Sequence, residues 1–153
     1  MMIKKFLRMF FVASCLVPVS CAQMDYAVTI KNTGKSAIWV DTFVVYQSKL
    51  GKAESGKVGV GALPPSSKKS ILHYSEKPNK EVEISWTIEA TGIKNTKKVF
   101  LDIPKAFWNN LIHHEIIFNL NPEDNVIEIL YSGYNVKDDT DHYVDSNGNP
   151  VKK

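Results

Sequence analysis

Two cysteines, four histidines and an acid-rich C-terminal stretch are the residues of this chain whose types could carry chemistry. Cys15 and Cys21 both fall within the first 22 residues, so the later chain offers no thiol as nucleophile, disulfide partner or zinc ligand. His113 and His114 are neighbours, and on a strand neighbouring side chains point to opposite faces, which keeps them from sharing a metal. His113 and Glu115 would share a face as an H-x-E pair, yet no third ligand accompanies them. His73 falls in a short, weak strand and His142 in the C-terminal stretch; ordinary strand-edge histidines are expected. Asp138, Asp139, Asp141 and Asp145-x-Asn147-x-Asn149 have the oxygen-rich character of a calcium loop. An EF-hand loop needs Gly at its sixth position, and counting from Asp145 that position is Pro150, so a solvated acidic tail is expected. There is no G-x-S-x-G elbow, Gly-rich phosphate loop or H-E-x-x-H. Glu81 and Glu83 sit on the solvent side of a regular strand. The expectation is a protein that is not an enzyme and uses no cofactor or metal.

Cys21 has a different chemistry open to it. Lys4, Lys5 and Arg8 precede an apolar run from Met9 to Val19, and small residues follow at Ser20 and Ala22. A spanning helix needs about 20 apolar residues, so this run is too short for one; basic, then apolar, then small is the pattern of an export signal. Pro18-Val19-Ser20-Cys21 fits a lipobox at its last three positions, with Pro18 where a branched apolar residue belongs. Residues 1–21 are therefore expected to be a lipoprotein signal whose Cys21 is lipidated, or residues 1–22 a signal cut by ordinary signal peptidase after Ala22. Val12-Ala13-Ser14-Cys15 also matches in letters but leaves too short an apolar stretch before it. Acyl chains on both the thiol and the amine of one cysteine give stable anchoring, where a single chain gives marginal binding.

The leader also explains the charge. The chain has 19 Lys and Arg against 16 acids; Lys4, Lys5 and Arg8 belong to the leader, leaving 16 cations against the same 16 acids. Arg8 is the sole arginine. A nucleic-acid reader normally presents a basic face and uses Arg for bidentate contacts, so nucleic acid is not an expected partner.

From Met24 onward the hydrophobic period is two, the signature of strands. Tyr26–Lys31 alternates and turns at Asn32-Thr33-Gly34. Ser36–Gln47 is a long strand with Ile38, Val40 and Val44 on one side and Trp39, Phe43 and Val45 on the other. A Gly- and Lys-rich loop spans 48–57. Weak strands follow at Val58–Leu63 and Lys69–Tyr74, then Glu81–Glu89 with Val82, Ile84, Trp86 and Ile88 inward, and Lys97–Ile103. Residues 104–111 are the one helical candidate, opened by Pro104. His114–Leu120 and Asn125–Tyr131 read as a hairpin. The pattern predicts an all-β fold, an antiparallel, immunoglobulin-like β-sandwich of 7–8 short strands with one short helix near 104–111. It occupies residues 22–133, and 134–153 form a polar, loosely ordered tail. Trp39, Phe43 and Trp108 are the aromatics whose pattern leaves them free to anchor a protein partner.

The leader, the Lys31-Asn32-Thr33-Gly34-Lys35-Ser36 turn before a long strand, Leu63-Pro64-Pro65, Val82-Glu83-Ile84-Ser85-Trp86, Val99-Phe100-Leu101-Asp102-Ile103-Pro104 and the final hairpin together resemble a group of small bacterial envelope lipoproteins. Their function is mostly unassigned; some are type VI secretion immunity proteins. The resemblance covers roughly residues 24–132. It implies an exported protein of the periplasm, held at the outer membrane through Cys21, that occludes a secreted toxin sterically. Its interface would draw on the 48–57 loop and exposed aromatics. The alternative expectation is a structural or assembly lipoprotein of the cell envelope. Either way the partner is a protein and the membrane is met only through the lipid.

Overall fold

The computed structural model describes residues 26–47, 55–57, 59–74, 78, 80–105, 107 and 112–152. Residues 1–25, with Cys15 and Cys21, Trp108, and residues 48–54 of the expected 48–57 loop lie outside the described residues, while 55–57 of that range form a strand. The described residues form ten strands: β1 Tyr26–Asn32, β2 Ile38–Gln47, β3 Ser55–Lys57, β4 Gly61–Leu63, β5 Lys68–Tyr74, β6 Glu81–Ile88, β7 Lys94–Phe100, β8 Ile112–Asn121, β9 Val126–Asn135 and β10 Thr140–Val144. Sheet I runs β5-β1-β8-β9-β10 and sheet II runs β3-β2-β6-β7. The short β4 pairs with Ile38–Val40 and β3 with the far half of β2. The two sheets share one core, so a mostly β sandwich describes the protein.

Alternation builds that core. Tyr26, Val28 and Ile30 of β1, with Ile116, Phe118 and Leu120 of β8, face Ile38, Val40 and Phe43 of β2 and Val82, Ile84 and Trp86 of β6. The rings of Phe43 and Phe118 meet edge to face across the sheets at 5.1 Å. This corrects one sequence expectation. Simple alternation puts Phe43 beside Trp39 on the outer side, but the β2–β6 register skips between Val40 and Thr42. The bulge at Asp41 adds one residue and exchanges the faces. Trp39 stays outside, 50% exposed, and Phe43 turns inward to 0%.

The C-terminal reading also changes. β9 continues past 133 to Asn135, and β10 adds a fifth strand to sheet I along residues 140–144. Val144 packs against the core and Tyr143 lies opposite Ser132, which anchors a segment otherwise as polar as an edge strand should be. Asp138 accepts from Thr140 at 2.8 Å and lies 2.7 Å from His142, closing the turn. Beyond β10, the Asp145 carboxylate takes the amides of Asn147 and Asn149 at 2.9 and 2.8 Å, so its oxygens are used within the chain. Of the expected 104–111 helix, Lys105 and Phe107 are helical among the described residues. Phe107 is buried and packs on His114 and Tyr131 at 4.7 and 5.5 Å.

The turn from β1 to β2 is gripped from two sides. Asn32 fastens it from within, and Glu123 of the β8–β9 turn accepts the amides of Lys35 and Ser36 at 3.1 and 2.7 Å. Gly34 lies so close under that turn that a Cβ there would collide with the Pro122 ring. Hydrogen bonding from Ser36 above all holds the Glu123 carboxyl below its ordinary value of 4.5.

Two measurements check this fold. Phe43→Ala should destabilise by about 3–5 kcal/mol in denaturant unfolding, as truncated core phenylalanines do, and Trp39→Ala by less than about 1 kcal/mol; equal losses would contradict the bulge. A depressed carboxyl stabilises above its unfolded value and loses that contribution as pH falls through its folded value. The stability advantage of wild type over Glu123→Gln should therefore be constant near neutrality and shrink below about pH 4.5. An advantage that persists at pH 2 would count against the Glu123 grip.

Candidate functional site

The outward residues of sheet I come from the same alternation that fills the core. Thr29 and Lys31 of β1 point away from Val28 and Ile30, and Glu115, Ile117 and Asn119 of β8 point away from Ile116 and Phe118. β1 and β8 run parallel with Thr29 opposite Ile117 and Lys31 opposite Asn119. Leu130 lies opposite Ile117 on β9, and β10 brings Tyr143 alongside. A bulge at the start of β8, where the register skips between Ile112 and Glu115 and His113 takes φ 52°, sets which residues face out from there on. Alternation through this bulge does not hold, so the H-x-E pair read from the sequence is not a regular strand pair. Glu115 goes instead to the Thr29 hydroxyl.

These residues line an open-sided cavity of about 480 Å³. Its floor is apolar: Ile117 and Leu130 are nearly buried although they belong to the outer face. Thr29 is buried at its base. Its hydroxyl donates to Glu115 and receives from the Ser70 hydroxyl at 2.7 Å. At the opposite end stand Lys31 and Lys68, paired across β1 and β5, beside Ser66 at φ 58° in the preceding turn. The site thus has a cationic end, an apolar middle and a carboxylate end. The sequence pattern implied the outward side of β1, but not the pairing of Lys31 with Lys68, which joins residues from separate strands.

The outer face of sheet II is different. Lys98 pairs with Glu81 at 2.8 Å and lies 3.9 Å from Glu83, which raises its pKa, chiefly through the Glu81 hydrogen bond. Lys94 lies 3.8 Å from Asp41. Amid these neutralised charges stands Trp39, its indole lying over Gly61, whose φ of +75° favours glycine. Packing over a strand glycine covers one edge of the ring, and the residue stays half exposed. Of the sequence-proposed contact aromatics, Trp39 is on the surface, Phe43 is in the core, and Trp108 lies outside the described residues, as does Cys21.

Among the described residues, no group of three His, Cys, Asp or Glu is placed to hold a metal ion. In the core, burial first and the Asp102 charge second push the Tyr131 hydroxyl up to about 12. No family model, no curated protein and no solved structure matches this chain.

Like charges directly opposite across a strand pair are destabilising by about 0.2–1 kcal/mol, and salt screens them. Lys68→Gln should therefore raise unfolding free energy at low ionic strength by that order, with the gain vanishing by about 1 M sodium chloride. A loss of stability at low salt would contradict the repulsion.

Proposed function

We propose that this chain is an exported binding protein of the bacterial envelope, anchored at the periplasmic side of the outer membrane through Cys21, that inhibits a secreted toxin by covering it. The observation that carries this reading is Trp39: a half-exposed indole on a strand whose other side is locked into the core. Tryptophans of this kind are over-represented among the few residues that dominate protein interfaces. A rigid strand beneath the ring means that little ordering entropy is lost when a partner covers it. Occlusion needs fit and no chemistry, so a regular sandwich with a fixed aromatic suits it. The leader and the turn, strand and hairpin pattern that resemble envelope lipoproteins, some of them type VI secretion immunity proteins, support the location and the kind of partner.

The reading takes the sandwich as immunoglobulin-like in its two-sheet packing, with a strand order of its own. Two sheets packed over a common core support this. The immunoglobulin order opens with two strands of one sheet, whereas here β1 and β2 belong to different sheets and β1 pairs in parallel with β8.

Deleting the gene should make cells die in dense co-culture with toxin-bearing siblings, and the wild-type chain should restore survival. Trp39→Ala, at equal abundance, should restore it roughly tenfold or more less well, as loss of an interface anchor worth about 2 kcal/mol predicts. Cys21→Ala should leave the membrane fraction, with the loss of acyl mass seen by intact-mass analysis. Undiminished survival of the deletion strain would overturn the inhibitory role. An envelope-integrity defect in the absence of any competitor would favour the structural or assembly role instead.

A further inference from the structure

We propose that the groove on the outer face of sheet I binds a small organic oxyanion, its carboxylate or phosphate group seated between the ammonium groups of Lys31 and Lys68. The first support is register. Lys31 and Lys68 are direct partners across β1 and β5 and line one cavity. Side chains so placed start about 4.5–5.5 Å apart at Cβ, where like charges repel.

The second support is where the acids go. On sheet II, Lys98 and Lys94 each have a carboxylate within 4.0 Å, supplied by the strand beside them or one strand further. Among the described residues neither Lys31 nor Lys68 has one. Glu115, the acid of the groove, stands four residues from the Lys31 row and is held by Thr29. An oxyanion accepting from both lysines replaces the repulsion with two charge-assisted hydrogen bonds.

The third support is shape. The volume of about 480 Å³ falls among small-molecule sites, and Ile117 and Leu130 give the body of a ligand an apolar floor, with Tyr143 as a wall. Four residues of strand separate the lysine row from Glu115, about 13 Å at the usual rise. A bare inorganic ion therefore fills only one end. The matching ligand carries an apolar body behind its oxyanion and offers a hydroxyl or ammonium group to Glu115.

The groove and Trp39 lie on different sheets, so this site stands or falls apart from the inhibitory role. The full chain in mild detergent is titrated calorimetrically with phenyl phosphate, with benzoate, and with phenol as the uncharged control. Saturable heat is expected for at least one anion in the ~mM range, and the stronger of the two tells phosphate from carboxylate. Lys31→Gln and Lys68→Gln should each weaken it roughly tenfold or more, the loss of one charge-assisted hydrogen bond. Lys68→Arg should retain binding and Lys98→Gln should leave it unchanged. The proposal is overturned by the absence of saturable heat with both anions up to about 10 mM. It is equally overturned by phenol binding as well as the anions do, or by Lys98→Gln weakening binding as much as Lys68→Gln.

Discussion

The side chain of Asn32 fastens the two sheets at the place where the chain first leaves one for the other. It is fully buried at the end of β1. Its amide donates to the carbonyls of Ser36 at 2.8 Å and Leu63 at 3.0 Å, and its oxygen accepts the Gly34 amide at 3.0 Å. Its own backbone amide donates to Ser67 at 2.9 Å. A buried polar group left without a partner costs about 1–3 kcal/mol, so these bonds fix where β1 ends rather than merely decorating it. Both ends of the lysine pair inherit that constraint. Lys31 precedes Asn32, so an inward Asn32 requires an outward Lys31. The bond to Ser67 sets the start of β5 and lays Lys68 opposite. A one-residue slip would send every side chain of β1 to the wrong face; it would expose Tyr26, Val28 and Ile30 and leave the bonds of Asn32 unmade.

Where a strand keeps a strict period of two, its sequence is already a map of its faces. β6 is the clear case: Val82, Ile84 and Trp86 are buried as their alternation requires, and Glu81 and Glu83 meet Lys98 outside. Legibility ends at the bulges. Asp41 and the start of β8 each insert one residue whose effect depends on the partner strand, which no local pattern reveals. That is how Phe43 came to look like a surface residue and how His113 and Glu115 came to look like a pair. β10 escaped for another reason. Its sequence is polar because it is an edge, and only Tyr143 and Val144 mark it as part of the sheet.

The groove was hidden by distance along the chain. Its lysines come from β1 and from the start of β5, its floor from β8 and β9, and its wall from β10. β1 joins these through a parallel partner, β8, that follows it only after six intervening strands. Sequence periodicity gives the outward side of each strand but not which strands lie side by side. The like-charged pair is therefore a property of topology, visible only once β1 has its neighbours.

The two outer faces are built on opposite electrostatic terms. On sheet II Lys94 and Lys98 are matched by Asp41, Glu81 and Glu83, so that a partner meeting Trp39 would encounter an apolar ring beside paired charges. Desolvating paired charges costs less than desolvating lone ones. On sheet I the charge is left over at one end and the carboxylate is engaged at the other, so what suits it is a ligand bringing its own negative charge. Packed sheets stand about 10 Å apart, with side chains filling the space between. A partner bound over Trp39 would therefore meet a face other than the one that carries the groove. Any influence of one face on the other has to pass through the core between them, where the edge-to-face contact of Phe43 and Phe118 joins the strand that carries Trp39 to the strand that carries Ile117.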